Sequence, residues 1–193
     1  VLAAFSTSAS ANLLTNGGFE DEIFAGPPPF VARWEPFAGD QPATSATSTQ
    51  MPRTGAQSLE LTIGGVANSF AGAFQDVPNL TPGTAVSYTG WHKSVIPTGS
   101  GIEIRIEWRD SVGDTEISRT DNFSPTPGPD YEMFTLNSIV PDGADTARVV
   151  YAIQSFGGPA NQLVFVDDVS FTPEPSMLAL LGIGGLALVR RRR

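Results

Sequence analysis

A chain of 193 residues with 40% hydrophobic and 16% charged residues, 20 Gly and 16 Pro is sized for one turn-rich globular domain, poor in long amphipathic helices, with two accessory ends. Four of its eleven basic residues are Arg190, Arg191, Arg192 and Arg193, so within the net charge of −9 the remainder sets 7 basic against 20 acidic groups, or −13, which repels phosphate backbones and excludes nucleic acid as a partner. Cysteine is absent, which excludes disulfides, thiolate metal sites and a cysteine nucleophile.

The N-terminus runs Val1-Leu2-Ala3-Ala4-Phe5 to Ala9-Ser10-Ala11, an apolar stretch followed by small residues in an A-x-A arrangement. Residues 1–11 therefore read as the remnant of a Sec-type signal peptide, cleaved after Ala11.

From 12 to 172 the chain alternates apolar and polar residues in short runs separated by Gly, Pro, Asn and Asp, the pattern of sandwich or barrel strands. Leu59, Leu61 and Ile63 share one face of such a run, as do Val86 and Tyr88. Along the same run Trp91 falls on the face opposite Val86 and Tyr88, beside Lys93. The clearest run is Ile102 to Arg109: Ile102, Ile104, Ile106 and Trp108 face the core, while Glu103, Arg105, Glu107 and Arg109 face water. Asp110 to Asp114 reads as a hairpin turn. Phe134 and Leu136, then Ala147, Val149, Tyr151 and Ile153, continue the inward set, and Leu163 to Phe171 closes the domain. No helix is expected before the tail.

The tail reads Pro173-Glu174-Pro175-Ser176, an uncharged apolar run over 177–189, and Arg190 to Arg193. Proline on both sides of Glu174 stops a strand or helix. Thirteen apolar residues form a short hydrophobic helix below the roughly 20 needed to span a bilayer, and the arginines hold its end on the cytoplasmic side. These three features, in this order, resemble the PEP-CTERM sorting signal of Gram-negative bacteria. The resemblance implies recognition and cleavage by an exosortase near Pro173, Glu174, Pro175 and Ser176. It also implies a transient inner-membrane intermediate held through 177–189, and a final place at the cell surface or outside the cell.

A second resemblance covers the domain itself. Asn12-Leu13-Leu14-Thr15-Asn16-Gly17-Gly18-Phe19-Glu20, Trp34, Arg53-Thr54-Gly55-Ala56-Gln57-Ser58-Leu59, Leu80-Thr81-Pro82-Gly83-Thr84 and Phe165-Val166-Asp167-Asp168-Val169-Ser170-Phe171 resemble the galactose-binding-like jelly roll of many carbohydrate-binding modules. The fold expected is all-β, a jelly-roll sandwich of two antiparallel sheets. The resemblance implies a structural calcium held by Glu20 and Asp167, with Asp168 as the alternative to Asp167. Calcium takes six to eight oxygens, and strict alternation puts Asp167 on the face of Phe165, Val169 and Phe171, pointing inward. The competing reading has both carboxylates accept backbone donors in loops.

Such modules bind sugars on aromatic platforms with a few polar side chains. Trp34, Trp91, Trp108, Tyr131 and Phe156 are the candidates; phase with the Ile residues assigns Trp108 to the core, and Trp34 is expected there too. Trp91, with Arg105 and Glu107 on a neighbouring strand, is the expected ligand site, on a face that is a row of charges. Catalysis lacks material: His92 is the single histidine, and Glu103 and Glu107, roughly 13 Å apart by strand rise, exceed glycosidase spacing. Two non-catalytic functions remain, a structural or adhesive surface or matrix unit and a carbohydrate-binding module for exopolysaccharide or another glycan, and the row of charges favours the first.

Overall fold

The computed structural model describes residues 11–96, 101–157 and 160–174. Ten strands follow in order: β1 Glu35–Ala38, β2 Thr44–Ser48, β3 Ser58–Val66, β4 Phe70–Val77, β5 Ala85–Ile96, β6 Ile102–Asp110, β7 Thr115–Arg119, β8 Glu132–Ile139, β9 Thr146–Gln154 and β10 Ala160–Pro173. They form two five-stranded antiparallel sheets, β1-β4-β9-β6-β7 and β2-β3-β10-β5-β8, packed as a jelly roll. No helix occurs among the described residues. The expected tail helix over 177–189 lies outside them, as do residues 1–10.

Alternation builds the core as the sequence requires. Ile102, Ile104, Ile106 and Trp108 of β6 meet Ala147, Val149, Tyr151 and Ile153 of β9 on one inner face. Leu59, Leu61 and Ile63 of β3, Val86 and Tyr88 of β5, and Val164 and Val166 of β10 line the other. Each fully buried side chain of this size contributes about 1.5–3 kcal/mol. Trp34 is buried, and its Nε1 donates to the Asn16 carbonyl at 3.1 Å. The hairpin after β6 turns through Asp114, at φ 45°, with Arg109 Nε donating to the Asp114 carboxylate at 2.7 Å.

One inward assignment is corrected. Alternation in β10 breaks between Asp167 and Ser170, where Asp168 adopts φ 48° as a bulge. Val164 and Val166 face the core before the bulge, Val169 and Phe171 after it. Asp167 therefore points away from the core with Phe165, yet both are fully buried, because a loop covers that outer face.

Candidate functional site

The loop over the β2-β3-β10-β5-β8 sheet is residues 49–57, and carboxylates hold it down. Asp167 Oδ2 accepts from the backbone N–H of Arg53 (2.8 Å) and Thr54 (3.2 Å), and Oδ1 accepts from the N–H of Asp168 at 2.7 Å. Burial raises the Asp167 pKa, and those backbone donors oppose the shift. Asp168 accepts from the Arg53 guanidinium at 2.6 Å and the Thr54 hydroxyl at 2.7 Å. Glu20 clasps the other end of the loop, accepting from the N–H of Ala56 at 2.9 Å while Gln57 Nε2 donates to the Glu20 carbonyl at 2.9 Å. Gly55, at φ +61°, is required there: a Cβ would stand 2.0 Å from Glu20 Oε1.

This arrangement bears on the calcium expectation. A Cβ built on Gly18 would lie within 3.9 Å of Glu20 Cγ, Asp167 Oδ1 and Asp168 Oδ1, so the acidic side chains converge on one backbone segment. They are also supplied with backbone donors, and among the described residues no group of three or more His, Asp or Glu is arranged to hold a metal ion. A cation at this point would need Glu20 and Asp167 to exchange backbone donors for the metal, with further oxygens supplied by the backbone.

Trp91 lies on the same covered face, and the Arg53 guanidinium sits 3.8 Å above its ring. Tyr131 donates its hydroxyl to the Met51 carbonyl at 2.6 Å, and Lys93 Nζ stands 5.4 Å from the Tyr131 ring. Burial pushes the Tyr131 phenol up to about 12. The aromatic residues here roof the sheet together with the loop.

Arg105 and Glu107 are on β6 in the opposite sheet, so the structure does not bring them to Trp91. The reason is topological: β5 and β6 are consecutive but cross from one sheet to the other, so their water-facing sides lie on opposite surfaces of the sandwich. His92 lies inside, with Nδ1 2.7 Å from the Tyr151 hydroxyl, and burial lowers its pKa to about 4. Phe156 is exposed in the turn after β9. Pro173 ends β10 and Glu174 follows it, while Pro175, Ser176 and Arg190 to Arg193 lie outside the described residues.

The outer face of the β1-β4-β9-β6-β7 sheet is organised differently. Along β6, Arg105 bonds Glu107 through Nε (2.9 Å) and Glu103 through Nη1 (3.2 Å), and Arg109 reaches Glu107 at 3.4 Å and Asp114 at 2.7 Å. Glu103 and Glu107 are thus joined through Arg105, not paired as a catalytic acid and base. On β9, Arg148 forms a two-pronged pair with Asp76 of β4 at 2.7 and 2.9 Å. Asp114 apart, which is 63% exposed, these side chains keep only 9–16% of their surface exposed, although no strand covers them.

A row of phenylalanines runs parallel to this ladder, and sequence reading missed it. Phe70 and Phe37 have ring centroids 6.1 Å apart, Phe37 and Phe74 6.2 Å, and Phe74 and Phe30 5.0 Å. The Arg148 guanidinium lies 4.2 Å from the Phe74 ring and 5.3 Å from Phe30, joining the aromatic row to the charged one. Between the rows the floor is small: Gly72 pairs with Ala152, which pairs with Glu103, and Phe74 pairs with Val150, which pairs with Arg105. Gly72 has to be glycine, since a Cβ would meet the Phe37 ring at 2.4 Å. At one end Phe30, Asp76, Arg109, Asp114 and Thr146 line a pocket of about 190 Å³. The signal was in the chain: Phe70, Gly72, Phe74 and Asp76 alternate with Ala71, Ala73 and Gln75, which puts two phenylalanines and an aspartate on one face of a single strand.

Comparison with known proteins bears on the C-terminal motif and on the sandwich separately. Residues 171–193 match the PEP-CTERM protein-sorting motif. None of the curated proteins matches the chain. Among solved structures, the enzymatically active domain of tailspike protein 4 from bacteriophage CBA120 superposes with a TM-score of 0.65 at 17% identity, over 84% of this chain and 21% of that one. The chain thus spans about a fifth of the tailspike domain's length. TmCBM61, solved with β-1,4-galactotriose, superposes at 0.55 and 16% identity over 86% of this chain and 100% of the module. The CBM22-1 xylan-binding domain of Xyn10C from Paenibacillus barcinonensis superposes at 0.57 and 17% identity over 87% and 97%. At such identities the likeness shows the fold alone: a carbohydrate-binding-module-like β-sandwich that carries a sorting motif.

Proposed function

We propose that this chain is an exported, non-catalytic surface protein, processed by an exosortase at its C-terminal motif, that binds a glycan along the outer face of the β1-β4-β9-β6-β7 sheet. The observation that carries the reading is the parallel run of Phe70, Phe37, Phe74 and Phe30 beside the Glu103-Arg105-Glu107-Arg109 ladder. Phenyl rings supply apolar surface for pyranose faces, and planar carboxylates and guanidinia supply paired acceptors and donors for hydroxyls. The ladder holds these groups in place before any ligand arrives, which lowers the ordering cost of binding. Arg105 and Glu107 keep the role expected of them, and the phenylalanines take the place of Trp91, which lies on the other sheet beside the loop of residues 49–57.

The adhesive or structural reading draws support from a different observation: every member of the ladder already has an internal partner. A glycan array including the host's exopolysaccharide separates the two. Glycan binding predicts a specific hit that Phe74→Ala weakens about tenfold, a change of roughly 1.4 kcal/mol, and that Trp91→Ala leaves in place. An array silent at millimolar sugar leaves the structural role standing, and a hit lost with Trp91→Ala alone moves the site to the other sheet.

The calcium belongs to the same proposal as a staple at the loop clasp. Its support is the convergence of Glu20 and Asp167 on Gly18 and the complete burial of Asp167 in a domain without disulfides. A bound cation would neutralise the buried carboxylate there and tie the loop more firmly to β10.

A further inference from the structure

The sorting motif and the last strand overlap. Pro173 pairs with Val86 in β5, and the Glu174 N–H donates to the Ala85 carbonyl at 2.8 Å. The first half of Pro173-Glu174-Pro175-Ser176 therefore continues β10, with no linker between sandwich and signal. β3 accompanies β10 only as far as the pair Val166 and Leu59. Beyond that point the N-terminal segment takes over the flank. The Asn12 side chain donates to the Val169 carbonyl at 3.2 Å and accepts from the Phe171 N–H at 2.9 Å, while the Leu13 N–H donates to the Phe171 carbonyl at 2.9 Å. The Val169 N–H donates to the Gly17 carbonyl at 2.8 Å. Phe171 itself is fully buried in the core.

An enzyme that processes a peptide at a Pro-Glu-Pro motif takes the substrate backbone in extended form, through the same N–H and C=O groups that a sheet uses. In the closed sandwich the Glu174 N–H is already taken by the Ala85 carbonyl of β5, and Thr172 and Pro173 are paired with Ser87 and Val86. We propose that the fold gates its own processing: the motif becomes a substrate when the segment beyond Phe171 separates from β5. The buried Phe171 ring and the Asn12 clasp mark where that separation stops, so the sandwich stays intact while Thr172, Pro173 and Glu174 come free. Terminal fraying of this kind is the least costly opening a fold offers. Processing of the folded chain is then slow but not blocked, and a chain met by the enzyme before β10 docks is processed quickly. The gate rests on the reading of residues 173–193 as an exosortase signal.

The test uses the full chain in an exosortase-bearing host, following loss of the basic C-terminus by pulse-chase and mass spectrometry. Inserting six Gly and Ser residues between Thr172 and Pro173 leaves the motif and everything after it unchanged but moves the motif off β5. The rate should rise about threefold to tenfold, the effect of one or two lost backbone bonds. In the converse variant, Thr172→Cys with Ser87→Cys joins paired positions in a chain that has no cysteine of its own. That variant should be processed several-fold more slowly when oxidised and at the wild-type rate once reduced, so it reports even where the insertion alters folding. Equal rates for wild type, the insertion and the oxidised pair would overturn the gate while leaving the sorting signal intact. No processing of any of them, with the exosortase active on another substrate, would overturn the sorting reading and the gate with it.

Discussion

On the outer face of the β2-β3-β10-β5-β8 sheet, arginine, carboxylates and tryptophan hold down residues 49–57, whereas on the outer face of the β1-β4-β9-β6-β7 sheet arginines, carboxylates and phenylalanines hold one another, with Arg109 also donating to the Asp114 carbonyl in the hairpin beside it. The residue types are nearly the same, and the difference lies in what they are bonded to. Asp167 satisfies backbone donors that have no other acceptor, so its carboxylate is part of the fold. Glu107 accepts from the Arg105 and Arg109 side chains, partners that can turn toward a ligand without undoing a backbone contact of the carboxylate. The comparison teaches that exposure alone does not mark a binding face; a face is free when its polar groups serve each other and no piece of backbone depends on them.

The largest effect that sharpens this contrast is expected at Asp167. Asp167→Ala leaves the N–H groups of Arg53, Thr54 and Asp168 without their acceptor under a loop, and should lower stability by about 3 kcal/mol. For a domain of this size that is a fall in melting temperature of roughly 6–12 °C. A fall under about 2 °C would show that the loop is not held by this carboxylate. The same melts test the cation. Calcium over chelator should raise the wild-type melting temperature by several degrees and leave Asp167→Ala unmoved, while coincident wild-type melts would remove Glu20 and Asp167 as metal ligands and leave the backbone clasp to act alone.

Between the two faces lies His92, which joins β5 of one sheet to Tyr151 of the other. Burial lowers its pKa from 6.5 to about 4, so the unfolded chain takes up a proton well before the folded one as pH falls. Stability is therefore lost on acidification between about pH 6.5 and 4, at up to 1.4 kcal/mol per unit for one proton. Asp167, with its pKa raised by burial, works in the opposite sense, contributing stability at low pH that is lost as pH rises through its folded pKa. Taking wild type from pH 7 to pH 5 should cost about 2 kcal/mol more than in His92→Phe, read by chemical denaturation. Equal losses in the two proteins would mean that His92 does not titrate across folding.

How far the sequence was legible follows from which physical signal each residue obeyed. Ile102 to Arg109 obeys strict alternation, and its core face is where the pattern puts it, while on the expected water face Glu103 and Glu107 are buried among their own ion pairs with Arg105 and Arg109. The tail could be read because its three features are local and ordered. Asp167 could not be oriented, because a single residue at φ 48° reverses the phase of everything beyond it, and nothing in Val166-Asp167-Asp168-Val169 announces a bulge. Trp91 was grouped with Arg105 and Glu107 because consecutive strands usually pair, while here the chain crosses between sheets after β5. Phe70 and Phe74 were overlooked for the opposite reason: the short run around them is apolar on both faces, so alternation gives no contrast between core and surface.

Arg105→Ala carries the smallest stability change and separates the faces most sharply. The guanidinium bridges Glu103 and Glu107 on an outer surface where no backbone group depends on it. The two carboxylates are largely covered while Arg105 is present, but the space its side chain vacates on the outer surface lets water in to solvate them, so the net loss is about 1 kcal/mol. The melting temperature should therefore move by only about 2–4 °C, far less than for Asp167→Ala. Glycan affinity should fall about fivefold to tenfold, because the variant loses both a donor and the strut that aims two acceptors. Titration of the array's best glycan against wild type, Arg105→Ala and Arg105→Lys decides between roles. A lysine keeps the charge and not the planar fork, so it should restore the melt and little of the binding. Full recovery of affinity in Arg105→Lys would make the residue a source of positive potential only, and unchanged affinity in Arg105→Ala would return the ladder to the status that the loop-covered face already has, a device of the fold.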